Sequence, residues 1–536
     1  MSYAIADDLA LAERTLPRVW ERRVRADPDS PFLWYPGRAI VSAGEFDRSI
    51  GAMAAGLHER GVQEGTRVCL LMRNSPEMLE LMIALWRLGA VVVPFSPQLE
   101  GQLLTEKIEE IAPLLLVADS SLAERIPGGL IEDGSLLVNF APDEQLAGCG
   151  GAVALAEIRR PAVQPPPVDV APEAPALILF TSGTSGRAKG CVISHHYAVY
   201  YAWVFWRYMR YESSDTLYTC LPLNHCHALF ASFWPGVLAG ARLAISERFS
   251  ASRFWREIVD SEATACTAIG TMTSILLARE PEEHEAQTKV RIAHVSADGA
   301  LDMPRFEARF GFQTVTCLYG STEAMVFPPL LEMPPLSGLI GPPPADWDVA
   351  LMDERGYALE GVARGELVVR PRLAHTMFDG YYGLPEATLA TRRGLWFHTG
   401  DLARRDGSGM YWFLGRSSDT IRRRGENVSS WEVERAIVQH PLVEEVAAFP
   451  LPSALSGNDV CVVVVPRSGG DLEVASMAEH CEAILPRYMR PDHIWIRDQG
   501  LPKNAGGKAD KARLREEYAL QTSGAQAGVA AGGSSA

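Results

Sequence analysis

The amino-acid sequence predicts an α/β fold in more than one domain. Buried-type apolar strands alternate with capped helices between residues 67 and 117. A second, shorter strand–helix pattern follows a dense polar and basic stretch at 414–427. The chain has 536 residues, 47% of them apolar, which is several domains' worth of length and enough to bury a large core without disulfide staples.

The elements follow in chain order. Arg67–Leu71 (RVCLL) is an apolar strand. Ser75 and Pro76 supply an N-cap and a proline at the first helical position, and the helix from Glu77 to Leu88 stops at Gly89. Ala90–Pro94 (AVVVP) is the next buried strand, followed by a helix at about 101–111 and a strand at Leu114–Val117. Strands separated by helices imply a parallel sheet covered on both faces. Residues 161–176 are proline-rich and nearly uncharged, an extended linker, and Leu177–Phe180 (LILF) is a short buried strand. Beyond GRSSDTIRRRGEN, a helix from Ser430 to about His440, strands at 443–449 and 459–465, a helix at 472–485 and a strand at 493–497 read as a separate C-terminal domain of about 100 residues. The end (QTSGAQAGVAAGGSSA) is rich in Gly, Ala and Ser and reads as a disordered tail.

Composition narrows the partners. A net charge of −16 with no long Lys/Arg run makes nucleic acid a poor partner. No run of about 18 uncharged apolar residues is present, so no membrane-spanning helix is expected. The acidic start lacks the basic and apolar regions of a secretory leader. A polyanionic small molecule stays open, because a local loop can be cationic or amide-rich in an acidic protein. The nine cysteines are scattered and odd in number, with no C-x-x-C, which argues for reduced thiols and a cytoplasmic location. The cluster Cys220-Leu-Pro-Leu-Asn-His225-Cys226-His227 would need a second ligand pair to hold zinc, so pocket or core lining is the favoured reading. There is no internal repeat of 20–50 residues.

The most informative segment is Thr181-Ser182-Gly183-Thr184-Ser185-Gly186-Arg187-Ala188-Lys189-Gly190, directly after a buried strand. Glycines let successive backbone N–H groups converge on an anion, hydroxyls add donors and the lysine adds a point charge. This is phosphate-binding chemistry, with a mobile Ser/Gly surface loop as the bland alternative. It is not a Walker A loop: the spacing fails, and Cys191–Ser194 reads as a strand, not a helix.

The loop resembles the signature loop of the adenylate-forming superfamily, which includes acyl-CoA synthetases, peptide-synthetase adenylation domains and beetle luciferases. Four further segments are similar to that family's motifs, in order: Tyr319-Gly-Ser-Thr-Glu323, Trp396-Phe-His-Thr-Gly-Asp401, Gly415-Arg416-Ser-Ser-Asp419-Thr-Ile421 with Arg424-Gly-Glu-Asn427, and Pro502-Lys-Asn-Ala-Gly-Gly-Lys508. The runs IRRRGENVSSWEVE and MFDGYYGLPEAT look most like the carnitine/crotonobetaine-type CoA ligases. The resemblance implies a large N-terminal adenylation domain of several α/β subdomains (1–415), a small mobile α+β lid (416–520) and the tail (521–536). It also implies two half-reactions. ATP and a carboxylic acid give an acyl-adenylate and pyrophosphate; after the lid turns, a thiol such as coenzyme A displaces AMP.

The roles implied by the resemblance suit the chemistry. An anionic carboxylate must approach a highly charged nucleotide, so catalysis is positioning plus placement of cations. Residues 181–186 and Lys189 would hold the β- and γ-phosphates; a solvated surface lysine is the plain alternative. Glu323 would ligate Mg²⁺ and Thr322 would donate to the α-phosphate. Tyr319 would stack on adenine, against the alternative of a core aromatic. Asp401 would accept both ribose hydroxyls, against a turn residue beside Gly400, and Arg416 would add a ribose or phosphate contact. Lys508 is the expected catalytic lysine, with Lys503 and Lys511 as alternatives. Ser418 is the expected pivot, where many relatives carry Asp or Lys. Arg424 and Gly425 would border the pantetheine channel.

The acid pocket is expected near 200–230, 296–301 and 319–328, the last including Gly320. Tyr200, Tyr201, Trp203, Phe205 and Trp206 are spaced as a helix core, yet Trp203 and its neighbours would suit a quaternary ammonium or an aryl acid if they faced the pocket. His225 is a candidate gate. Asp298 stands where the family has small apolar residues and is read either as a partner for a cationic nitrogen or as a local salt bridge. Alternatives to a CoA ligase are transfer to an amine or carrier-protein thiol, activation of another oxyanion such as nitrite for an aryl amine, and a non-catalytic nucleotide-binding protein. A homodimer is compatible with each.

Overall fold

The computed structural model describes residues 5–130, 132, 134–139, 151–165, 167–181, 188–296, 303–336, 338–417, 420–423, 426–453, 458–467, 472–503 and 509–519. Its N-terminal half is built on two large sheets. The first has eight strands in the order Gly380–Tyr381, Lys189–Ser194, Pro175–Thr181, Val91–Pro94, Arg67–Leu71, Leu115–Asp119, Leu136–Asn139 and Val153–Ala154. The second has seven: Gln313–Val315, Ile292–Ser296, Ala265–Ile269, Thr216–Thr219, Arg242–Ile245, Pro31–Trp34 and Val41–Ser42.

The βαβ unit forms as its caps dictate. Ser75 accepts the Met78 N–H at 3.1 Å, and the helix Pro76–Arg87 returns the chain to a strand parallel to the first. The first sheet departs from the all-parallel expectation at one edge. Pro175–Thr181 and Lys189–Ser194 pair antiparallel, as do the latter and Gly380–Tyr381. A short connection without a crossover helix can only reverse the chain, so the strand after the phosphate loop must run back.

A third, antiparallel sheet follows, in the order Leu339–Gly341, Tyr411–Arg416, Trp396–Arg405, Ala363–Pro371 and Trp347–Met352. The C-terminal region has its own three-stranded sheet, Val443–Pro452, Asn458–Pro466 and His493–Ile496. Along its central strand Val460, Val462 and Val464 join one apolar cluster, while Cys461, Val463 and Val465 join another on the opposite face. The helix expected from Ser430 to His440 spans Ser430–Ile437, capped by the Ser429 hydroxyl, which accepts the Glu432 N–H at 3.2 Å. This helix docks on the antiparallel sheet through Trp431. The indole lies 5.8 Å from the Phe413 ring and covers Gly338 (φ +78°), while Gly415 (φ +112°) lies against the Trp431 Cβ and the Ser429 hydroxyl. A Cβ on Gly338 would stand 2.7 Å from the indole, so only glycine fits beneath it. No helix among the described residues is long and apolar enough to cross a membrane.

The two large sheets are joined by a buried amide. Asn74, at the end of the loop after Arg67–Leu71, donates to Leu221 O (2.8 Å) and Ser246 O (3.0 Å), and its Oδ1 accepts the Leu223 N–H (2.8 Å). Replacing Asn74 by Ala leaves one donor and two acceptors of the backbone unsatisfied. The expected loss is about 3 kcal/mol, measured by urea unfolding. A loss below about 1 kcal/mol would show that the junction does not depend on it.

Candidate active site

The described end of the phosphate loop is fixed by strand pairing. Thr181 and Lys189 face each other as the last rung of the antiparallel ladder, and the Thr181 hydroxyl donates to Lys189 O at 3.4 Å. A buried lysine on the helix Gly101–Ile111 braces the same rung from outside. Lys107 Nζ donates to Ala188 O and to Glu110, both at 2.8 Å, and sits 4.1 Å from the Phe180 ring centroid. The residues flanking the loop on both sides are thus held by one side chain.

Tyr381 lies opposite Cys191 on the edge strand. Its ring centroid is 4.9 Å from Lys189 Nζ, and its hydroxyl donates to Glu323 Oε1 at 2.9 Å. Burial, and after it the charge of Glu323, pushes that hydroxyl up its scale, which keeps it a donor. Burial likewise pushes the neighbouring Cys191 thiol up, so it stays protonated.

Glu323 and Thr322 sit in the turn of a small hairpin, Tyr319–Gly320 with Met325–Phe327. The Ser321 hydroxyl oxygen accepts the N–H of Glu323 (3.2 Å) and of Ala324 (3.3 Å), and the Glu323 carbonyl accepts the Phe378 N–H at 2.8 Å. A Cβ on Gly320 would crowd the hairpin, standing 3.2 Å from Met325 Cα and 3.3 Å from Ala324 O and displacing the Met325 side chain.

The hairpin's first residue reaches the antiparallel sheet. The Tyr319 hydroxyl donates to Asp401 Oδ2 at 2.5 Å. Burial pushes the Tyr319 hydroxyl far up, and the Asp401 charge adds to it. Asp401 faces Arg416 across the strands, with Arg416 Nε 3.5 Å from Oδ1. Tyr319, Asp401 and Arg416 therefore form one cluster; Lys189, Tyr381 and Glu323 form a second; the hairpin connects them.

A third group borders Thr322. Cys226 Sγ lies 3.7 Å from Thr322 Oγ1 and 4.0 Å from the Tyr201 hydroxyl. His227 Nε2 is 2.9 Å from His294 Nδ1, and the His294 ring meets Phe205 edge-on at 4.9 Å. Burial lowers the pKa of His294 well below the usual range, and His227 lowers it further. His225 caps the short helix Cys226–Ala228 and is also lowered by burial. Within the Cys220–His227 segment Cys220 is buried and Cys226 half-buried, and among the described residues no group of three or more His, Cys, Asp or Glu is placed to hold a metal.

Trp203 is placed apart from these clusters. It is 1% exposed, stacks on Tyr200 at 5.9 Å, and its indole N–H donates to Asp8 Oδ2 at 2.8 Å. The helix His195–Tyr208 is buried from His195 to Phe205, so its aromatics are core and Trp203 anchors the N-terminal segment. Ser182, Gly183, Thr184, Ser185, Gly186, Asp298, Ser418, Arg424, Gly425 and Lys508 lie outside the described residues, as does the tail from residue 520. Tyr381 and Lys107 were not singled out by sequence. The only signal was the run MFDGYYGLPEAT, which gives no hint that Tyr381 meets Glu323 across 58 positions.

Residues 20–382 match the family described as AMP-binding enzyme, and residues 432–508 match its C-terminal domain. A crotonobetaine/carnitine–CoA ligase of Proteus mirabilis is 28% identical over 500 residues, spanning 88% of this chain and 93% of the relative. ATP-bound MatB from Rhodopseudomonas palustris superposes with a TM-score of 0.82 at 26% identity, covering 94% of this chain and 99% of that one. The anthranilate CoA ligase AuaEII, in complex with anthranoyl-AMP, shares the fold, with a TM-score of 0.85 at 20% identity over 97% of this chain and 99% of that one.

The buried His294 sets a pH dependence. Its folded pKa lies below the unfolded value of about 6.5, so between those two values the unfolded chain binds a proton that the native protein does not. Stability from this group is complete above the unfolded value and is lost as pH falls. Going from about pH 7.5 to about pH 5, a His294→Phe variant should lose less unfolding free energy than the parent protein in urea titrations. An equal loss in both would show that His294 titrates normally.

Proposed function

The chain belongs to the AMP-binding enzyme family, and on that premise we propose that it adenylates a small carboxylic acid with ATP and passes the acyl group to coenzyme A. It is an adenylate-forming ligase of the acyl-CoA synthetase type. The observation that carries the finer reading is the convergence on one hairpin of Lys189, Tyr381 and Glu323 on one side and Tyr319, Asp401 and Arg416 on the other.

In the first step a carboxylate oxygen attacks the α-phosphorus, the bond to the β-phosphate oxygen breaks, and pyrophosphate leaves. Lys189, at the base of the loop, would offset charge on the departing phosphates, and Thr322 would donate to the α-phosphate. Tyr319 would lie along the adenine, while its hydroxyl fixes Asp401 for the ribose hydroxyls. Glu323 suits a magnesium ion. It is a hard oxygen donor with no carboxylate cage around it among the described residues, and magnesium takes one or two carboxylates and completes its shell with phosphate and water. When bound, the ion supplies positive charge to the phosphate oxygens. In the second step the thiol sulfur attacks the acyl carbon and AMP leaves.

Residues 1–415 would form the adenylation domain and 416–520 the lid, turning near Ser418 and carrying Lys508 toward the reacting carboxylate and then away. Two apolar clusters belonging to the C-terminal sheet support a lid that holds its own shape while it moves. Coenzyme A as acceptor is supported by the ligase activity named for the relatives. The free thiols, seven of the eight described ones buried, suit a reducing, cytoplasmic setting. The Cys226 thiol beside Thr322, with the Tyr201 hydroxyl on the same sulfur and the adjacent His227, supports a small polar, aryl or betaine-like acid.

The test is acid-dependent pyrophosphate release with ATP and Mg²⁺ over a panel of carnitine-like, benzoic, cinnamic and amino-substituted aryl acids and nitrite, with and without coenzyme A. A thioester product from one class of acid is expected; release without a thioester would move the reading to another acceptor. Lys508→Ala should slow adenylate formation by about 100-fold or more and leave thioester formation from a supplied adenylate within about threefold. Equal losses in both steps would remove Lys508 from the first.

A further inference from the structure

We propose that Tyr381 is a positioning residue that partitions the nucleotide site, keeping the Lys189 ammonium and the Glu323 carboxylate from neutralising each other so that each remains available to its own ligand. This rests on the adenylation reading above, in which Lys189 meets phosphate and Glu323 meets a magnesium ion.

The geometry has three parts. The hydroxyl of Tyr381 donates to Glu323 Oε1 at 2.9 Å, while the ring presents its face to Lys189 Nζ at 4.9 Å. One side chain thus holds the anion by its edge and the cation by its face. Among the described residues no ion pair joins Lys189 to Glu323, although both contact the same tyrosine. The tyrosine itself is fixed. Its N–H donates to Thr388 Oγ1 at 2.9 Å, it pairs with Cys191 in the ladder, Phe378 meets its ring edge-on at 5.0 Å, and the next residue's N–H donates to Gly190 O at 2.7 Å.

The energetics favour such a spacer. An ammonium and a carboxylate brought together in a partly buried site attract strongly, and each would then have to be pulled from the other before it could serve phosphate or metal. A cation–π contact is worth only about 0.5–1 kcal/mol at exposed sites. It orients the ammonium without competing seriously with a polyphosphate. The hydroxyl–carboxylate bond similarly fixes Glu323 while leaving its charge intact. A tyrosine supplies both contacts; phenylalanine supplies the face alone, and leucine supplies neither.

The experiment uses the full-length protein and reads ATP affinity by calorimetry with and without Mg²⁺, apart from turnover. Y381F should leave Mg²⁺-free ATP affinity within about twofold and raise by about fivefold the Mg²⁺ concentration that gives half of the Mg²⁺-dependent change in ATP affinity, because only the bond to Glu323 is lost. Y381L should weaken Mg²⁺-free ATP binding by about tenfold, because Lys189 then pairs with Glu323. The decisive comparison is a cycle with K189M: about a tenfold loss of ATP affinity in the parent protein, but less than about threefold in the Y381L background. Losses that multiply would overturn the partition, as would a Y381F protein indistinguishable from the parent in both readouts. Y381F is nearly isosteric, so it decides the first half even if Y381L melts early. A parent protein that binds ATP but releases pyrophosphate with no acid would sink the adenylation reading alone, since the binding cycle still judges the partition.

Discussion

The architecture depends on one buried amide between two sheets. Each sheet ends its strands in loops whose backbone groups must be satisfied away from water, and Asn74 satisfies three of them at once. Because it leaves one sheet and binds both the 221–223 loop and Ser246 of the other, the two sheets cannot slide without leaving those groups unpaired. That loop runs directly into His225, Cys226 and His227, so the same amide fixes where Cys226 approaches Thr322. A polar contact specifies the junction where apolar packing alone would tolerate many offsets.

From that junction the site is assembled out of three sheets. The edge of the first contributes Lys189 and Tyr381, the small hairpin contributes Thr322 and Glu323, and the antiparallel sheet contributes Asp401 and Arg416. Three side chains outside the proposed reactant contacts hold this arrangement: Lys107 braces Ala188, Ser321 braces the turn, and Tyr381 braces Glu323. Phosphoryl chemistry asks for little beyond position and charge, and this division of labour supplies it.

Much of this was legible in the residues. The 67–94 unit could be read because its signals are local: a serine cap, a proline after it and a glycine stop. The two strands on either side of residues 182–187 were legible from their short apolar runs, and the five motifs located Glu323 and Asp401 by type and order. What was not legible is non-local. The outermost strand of the antiparallel edge depends on Tyr381 returning beside Cys191, a pairing across 190 positions. The fate of Trp203 depends on Asp8, which lies 195 positions away and accepts its N–H. A helix that is aromatic on all sides gives no periodic sign of which face meets a ligand, and the structure answers that the helix is buried on every face. Asn74 looks like any turn asparagine until its partners are seen.

The seating of Trp431 against Gly338 and Gly415 gives the lid a mechanical character. Gly338 lies beneath the indole and Gly415 against the Trp431 Cβ, beside the start of the proposed hinge segment at Arg416. Under the two-step reaction proposed above, turning the lid would withdraw that half-buried indole from Phe413 and change its exposure to solvent. The rest position would thus be a seated one, closer to a snap-fit than to a tether, with an aromatic contact broken and remade at each turnover. The same displacement changes the solvent around a tryptophan, so the stroke of the lid is written into the protein's own emission spectrum.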